Sequence, residues 1–198
     1  MSKRLFDLFF SSLGLLALCP VMGLIALAIK LDSPGAVFFR QERVGRFGAP
    51  FRIHKFRSMV QAQCGQGLQI TVGADKRVTR VGQFLRRSKL DELPQLIDVW
   101  LGDMSLVGPR PEVPRYVAQY PVELRDKLLS VRPGITDVAS IEYRDESSVL
   151  AHAVDPEHAY VHEVLPRKLA LSAKYVDQAS LCTDVRLIAR TLLIVMGR

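Results

Sequence analysis

Between Leu8 and Ile29 the chain runs for 22 residues without a charged side chain. A helix of that length crosses the roughly 30 Å hydrocarbon core of a bilayer, and few water-soluble folds use so long an apolar run. The run also exceeds the apolar region of a cleavable signal peptide, and no small-residue cleavage site precedes Lys30 and Asp32. Its flanks argue against a plain span. Lys3 and Arg4 precede it, and Lys30, Arg40, Arg43 and Arg46 follow it, whereas spanning helices keep Lys and Arg mainly on the cytoplasmic side. Pro20 lies in the middle, where a missing N–H and a ring clash predict a break. A helix that enters, bends and returns to the same face fits both features, with Ser11 and Ser12 available to cover freed carbonyls. A spanning helix with a tolerated proline kink is the alternative.

The remaining chain, 33–198, is long enough for one domain. A hydrophobic fraction of 48% supports a core and excludes a disordered chain. The net charge of +7 suits anionic lipid, nucleic acid or phosphorylated ligands without choosing among them. Cys19, Cys64 and Cys182 form no CxxC, so neither a zinc knuckle nor a disulfide framework is indicated. His158 and His162 have i,i+4 spacing but no third ligand pattern, which reads as an ordinary helix face.

Val37–Arg43 and Phe51–Arg57 predict two short strands joined by the turn-rich 45–48, and 61–80 predicts a surface loop. Val81–Arg87 predicts a short helix or strand. Leu93–Trp100 predicts a helix opened by Asp91, Glu92 and Pro94. Short helices are expected over 112–120 and 122–130, around Pro121. A turn is expected at Arg132-Pro133-Gly134, and longer helices over His158–Tyr175 and Thr183–Met196. The last carries Val185, Ile188, Leu192 and Val195 along one side, a stripe suited to a core or a membrane interface. The fold class is therefore α-rich α+β.

Asp91-Glu92 is the sharpest chemical feature. Two adjacent carboxylates at a helix start can bind Mg²⁺ and offer a nucleophile, since the helix dipole favours the ionised form. Acidic residues in a first turn also stabilise helices with no further role. Arg86, Arg87 and Lys89 precede the pair, and Arg110 and Arg132 sit beside prolines. Guanidinium forks on rigid loops suit phosphate. Neither GxxxxGK[ST] nor GxGxxG occurs, so the nucleotide folds built on them are unsupported.

Several blocks together resemble the small monotopic phosphoglycosyl transferases, the bacterial sugar transferases. They are Lys3-Arg4-Leu5-Phe6-Asp7, Val37–Gly45, Phe51–Met59, Leu85–Leu96 (with Asp91-Glu92-Leu93-Pro94-Gln95-Leu96), Gly102–Pro111 and Val131–Thr136. The resemblance implies a monotopic membrane protein with a re-entrant helix over 1–32 and a catalytic domain over 33–198. That domain would carry amphipathic interfacial helices and a small β-hairpin at the cytoplasmic face of the bacterial inner membrane. It implies transfer of a sugar 1-phosphate from a UDP-sugar to polyprenyl phosphate, with Mg²⁺ and release of UMP, as the first membrane step of glycoconjugate assembly. Asp91 would be the covalent nucleophile, and Asp91 and Glu92 the metal-binding pair. Lys55, Arg86, Arg110 and Arg132 would bind substrate. Membrane lipids are expected partners, a homodimer is allowed, and nucleic acid is not expected. Two rival readings keep distinct signatures: direct attack by lipid phosphate in a ternary complex, and a non-catalytic membrane-tethered module that binds polyanions.

The chain departs from that pattern in three places. Cys19 precedes Pro20 where Ser is common, Asp137 follows the Arg132–Thr136 run where Gly is common, and Ser140–Glu146 replaces an Asn/Gly-rich stretch. The last is expected to help select the sugar.

Overall fold

The computed structural model of the protein describes residues 2–60, 75, 77–146 and 150–197, so most of the predicted 61–80 loop lies outside the described residues. Helix α1 (Ser2–Asp32) is followed by strands β1 (Phe38–Val44) and β2 (Pro50–Phe56), which form the expected antiparallel hairpin with Phe38 opposite Phe56. Then come α2 (Arg80–Arg87), a 3₁₀ turn (Leu90–Glu92), α3 (Gln95–Leu101), β3 (Ser105–Val107), α4 (Pro114–Val117), α5 (Val122–Leu129), β4 (Gly134–Thr136) and α6 (Val138–Glu142). A final helical run comprises α7 (Pro156–Ala159), a π turn (Tyr160–Val164) and α8 (Leu165–Asp177), and α9 (Leu181–Met196) closes the chain.

The expected break at Pro20 is absent, since α1 is one helix with Pro20 inside it. Its most apolar 18-residue window has a mean hydropathy of 2.4, yet only 11% of that window is buried. Leu5, Phe9, Leu16, Leu24, Leu27 and Leu31 are all more than half exposed. That exposure separates α1 from the core helix of a water-soluble domain, and an apolar face of this extent is what a lipid-facing helix presents.

Both ends of α1 are tied to the same body. Near its start, Lys3 Nζ donates to Asp184 Oδ2 at 2.5 Å and to the Val107 carbonyl at 3.1 Å. Arg4 donates to the carbonyls of Val99 and Trp100, and the buried Asp7 carboxylate accepts from Ser105 Oγ and the Leu106 N–H. At its other end, buried Arg57 donates to the carbonyls of Ile29, Ser33 and Pro34, and Asp32 accepts from the Val81 N–H. Between these anchors Ile25 and Ile29 pack with Phe56 and Leu85, and Leu90 and Leu93 lie against that cluster. The two leucines that flank Asp91-Glu92 therefore attach the acidic turn to the apolar helix.

A parallel strand pair, β3 with β4, was not expected from sequence. Each strand has three residues, too few to show a period, and Arg132-Pro133-Gly134 reads as a turn although Gly134 begins β4. The pairing depends on two glycines. A Cβ on Gly134 would lie 2.0 Å from the Gly108 backbone nitrogen, and one on Gly108 would lie 2.5 Å from the Arg132 carbonyl. Backbone cannot yield there, because Gly134 N–H donates to Pro109 and Gly108 N–H donates to Thr136. Gly134→Ala is expected to cost about 2–3 kcal/mol, measured as a lowered melting temperature in detergent.

The expected helix over His158–Tyr175 forms, but with a π turn at 160–164. Pro166, in the first turn of α8, has no N–H to donate back into the preceding turn, and its ring would clash with the carbonyl four residues earlier. The π turn falls just before this proline, at one of the usual places where a helix departs from α geometry.

Candidate active site

Asp91 and Glu92 are presented differently from a simple helix start. They lie in the 3₁₀ turn ahead of α3, entered through Lys89 at φ +57°, and α3 itself begins only at Gln95. With Leu90 and Leu93 packed back toward α1, the two carboxylates line an open cleft of about 980 Å³. Lys55 on β2, Arg86 at the end of α2, and Arg110 in the Gly108–Pro111 segment line the same cleft.

The pair is strongly asymmetric. Glu92 accepts from Lys55 Nζ at 2.9 Å and from both terminal nitrogens of Arg110, one at 3.1 Å and the other closer. Burial alone would raise the Glu92 pKa, but Arg110 and Lys55 overcome it and hold the carboxyl well below the usual range. Asp91 is also buried, yet among the described residues its Oδ1 has no hydrogen-bond partner. Burial first, and the charge of Glu92 second, push its pKa up, although Lys55, Arg86 and Lys89 pull it down. The expected dipole stabilisation of Asp91 is thus outweighed by desolvation. Lys55 is pushed down by burial, against the pull of Glu92, and Arg110 is raised by Glu92.

Four of the six expected side chains therefore form one contiguous group: Lys55, Asp91, Glu92 and Arg110. Arg86 lines the cleft and points Nη1 toward Met59 Sδ at 3.7 Å. Arg132 is not among the cleft-lining residues; its Nε donates to the Gly102 carbonyl at 2.7 Å, fastening β4 to the end of α3. In this structure Arg132 holds backbone.

A second polar group on the cleft was not anticipated. Glu112, two residues past Arg110, accepts from Tyr160 Oη at 2.6 Å and from Lys168 Nζ at 3.4 Å, with Arg43 Nη1 at 3.7 Å. Burial would raise the Glu112 carboxyl, but Lys168 and Arg43, with the tyrosine hydrogen bond, bring it below its ordinary value. These residues are widely separated in sequence; only the position of Glu112 next to Arg110-Pro111 hinted at a role. Tyr160→Phe, which removes a buried bond to a charged acceptor, is expected to cost about 1.5–3 kcal/mol, measured by thermal denaturation. Ser140, Tyr143, Arg144 and Glu146, from the segment expected to select the sugar, form another part of the wall.

Chemically, the site offers one buried carboxylate oxygen without a partner among the described residues, a neighbouring carboxylate fixed by two cations, and a wall rich in arginine and lysine. Such an arrangement can receive a phosphorylated ligand and present a carboxylate oxygen to it.

All 198 residues match the family described as bacterial sugar transferase. The chain is 38% identical over 193 residues to the UDP-glucose:undecaprenyl-phosphate glucose-1-phosphate transferase of Escherichia coli (strain K12), covering 96% of this chain and 39% of that protein. It is 38% identical over 192 residues to the UDP-N-acetylgalactosamine-undecaprenyl-phosphate N-acetylgalactosaminephosphotransferase of Aeromonas hydrophila, covering 96% of this chain and 42% of that one. Against the glucose-1-phosphate transferase of Caulobacter vibrioides it is 36% identical over 202 residues, with 96% and 68% covered. The chain thus spans about two fifths of the length of the first two relatives.

Proposed function

The chain belongs to the bacterial sugar transferase family, and from that premise we propose that it transfers a sugar 1-phosphate from a UDP-sugar to undecaprenyl phosphate, with Asp91 as covalent nucleophile. The buried Oδ1 of Asp91, unpartnered among the described residues at the base of a basic cleft, carries this reading. The named activities of the relatives supply the substrate classes.

In the first step a carboxylate oxygen of Asp91 attacks the phosphorus that bears the sugar. The bond from that phosphorus to the bridging oxygen breaks, and UMP leaves with the electron pair. An acyl phosphate on Asp91 results. In the second step an oxygen of the lipid phosphate attacks the same phosphorus, the bond to Asp91 breaks, and the carboxylate is restored. Splitting the transfer lets two bulky, poorly miscible substrates use one site in turn. Burial assists the first step, because it penalises the free carboxylate and not the acyl oxygen that replaces it. Arg110 and Lys55, positioned by Glu92, take up charge that develops on the phosphoryl oxygens.

The donor set is compatible with Mg²⁺, which commonly binds one or two carboxylates together with substrate phosphates. Asp91 has a free oxygen to offer, whereas Glu92 would have to share its oxygens with Arg110 and Lys55. When bound, Mg²⁺ would neutralise the diphosphate and stabilise departing UMP.

The membrane arrangement belongs to the same proposal. Lys3, Arg4 and Asp7 at one end of α1 and Asp32 at the other all bond to one body. That supports a monotopic, re-entrant placement of 1–32 at the cytoplasmic face of the inner membrane, with lipid around the exposed leucines. Single cysteines at Ser2 and Pro34 in a cysteine-free background should react from the same side of sealed vesicles; reaction from opposite sides would establish a span.

The decisive experiment incubates the protein with a UDP-sugar labelled in the sugar, without lipid acceptor. One equivalent of UMP and a labelled protein are expected. If UMP appears only when lipid phosphate is present and no label is retained, direct attack in a ternary complex replaces the covalent route.

A further inference from the structure

The segment opposite the acidic turn carries a carboxylate that the phosphoryl chemistry does not use. Glu146 Oε2 accepts from Lys168 Nζ at 2.8 Å, and its side chain stays 26% exposed on the cleft. Lys168 is buried and is itself anchored: its Nζ lies 3.4 Å from Glu112 and 3.3 Å from Tyr160 Oη. Glu112 in turn sits two residues from Arg110, on the chain segment shaped by Pro109 and Pro111. The position of Glu146 is thereby referred back to the phosphate-binding arginine through a short chain of charged bonds.

The π turn makes that chain possible. In an uninterrupted α-helix, residues eight apart are turned about 80° from one another. A π turn accommodates about one extra residue, which reduces the offset between Tyr160 and Lys168 to about 20°. Both side chains then reach Glu112 from one face of the helical run. Across the cleft, Lys89 Nζ donates to the Arg144 carbonyl at 3.3 Å, so the segment holding Glu146 is also fastened from the side of the acidic turn.

Charge decides what Glu146 can meet. Arg86, Arg110 and Lys89 mark where a diphosphate belongs. A carboxylate repels phosphate, but it accepts strongly from hydroxyl and amide N–H groups. A substrate with its diphosphate on the basic wall has a neutral, donor-rich part left to face Glu146. Resting on the transferase reading above, we propose that Glu146, positioned by Lys168, is a specificity-determining residue that binds donor groups of the sugar ring.

The test uses the full chain in detergent or nanodiscs, with UDP-glucose and UDP-N-acetylgalactosamine as probes and UMP as a sugar-free competitor. Glu146→Gln is expected to raise KM for the better sugar about tenfold and to change the preference between the two by a similar factor. The inhibition constant of UMP and the melting temperature should hold. Lys168→Met, where it folds, should alter the preference in the same direction, since it releases Glu146. An unchanged preference with Glu146→Gln overturns the proposal and leaves the transferase reading standing. A UMP constant that rises as much as KM also overturns it, because the carboxylate then reads the uracil. Absence of UMP release by the unmodified protein from either sugar nucleotide, with and without lipid phosphate, removes the transferase reading and this one with it.

Discussion

Asp91→Asn should lower UMP release from a UDP-sugar by at least about a thousandfold and eliminate label retained on the protein. An amide at this position keeps the shape of the side chain but lacks the charge needed to attack phosphorus. The same substitution should leave the fold at least as stable as before. Asp91 is buried, its Oδ1 is unpartnered, and burial and Glu92 both push its pKa above 3.8. A carboxyl whose pKa is raised by folding favours the folded state while protonated, and loses that advantage as pH rises through the folded value. At neutral pH ionised Asp91 therefore costs stability, and the amide removes the cost. The melting-temperature gap between variant and parent should narrow as pH falls toward the unfolded value. Inactivity with retained or raised stability is the signature of a functional carboxylate. A variant that keeps full turnover would place the nucleophile elsewhere, and unaltered polyanion binding without turnover in the parent would favour the non-catalytic module.

The parts of this site that sequence revealed were those carried by short, local patterns. The apolar run announced α1, and two short strand-like stretches around the turn at 45–48 announced the hairpin that presents Lys55. The proline-flanked Arg110 and the Asp91-Glu92 pair were visible as motifs, and the family resemblance is the source of the roles proposed for them. What escaped was long-range. Glu112, Tyr160 and Lys168 are brought together by the π turn, and Pro166 was its only advance sign. The β3–β4 pairing depends on two glycine backbones meeting, which no periodicity encodes. Arg132, picked out by a phosphate-binding pattern, donates through Nε to the Gly102 carbonyl, a contact no local pattern announced. Pro20 did not interrupt α1, since losing one helical bond is tolerable where both ends of the helix are anchored elsewhere.

Glu92→Gln should impair both stability and turnover, and the way it does so separates two roles for this carboxylate. In the structure Glu92 is the shared counter-charge of Lys55 and Arg110, whose side chains are 18% and 29% exposed. Removing its charge leaves two largely buried cations without compensation, a change expected to cost about 3 kcal/mol, the lower end for a broken buried pair because Arg110 keeps some solvent. The pH dependence has a definite sign. A carboxyl held well below 4.5 contributes its stability above that pH and loses it as pH falls through the depressed folded value. Parent and variant should therefore differ most near neutrality and converge in acid. Asp91 should respond in the opposite sense: without the charge of Glu92 its pKa falls, and the acid limb of the rate profile moves to lower pH. Turnover should still drop about ten- to a hundredfold, since Arg110 and Lys55 lose the group that aims them. If Glu92 acts instead mainly as a Mg²⁺ ligand, the metal-free protein should lose little stability, and excess Mg²⁺ should restore most of the rate. Melting curves with and without Mg²⁺, taken beside a Mg²⁺ titration of UMP release, distinguish an electrostatic brace from a metal ligand.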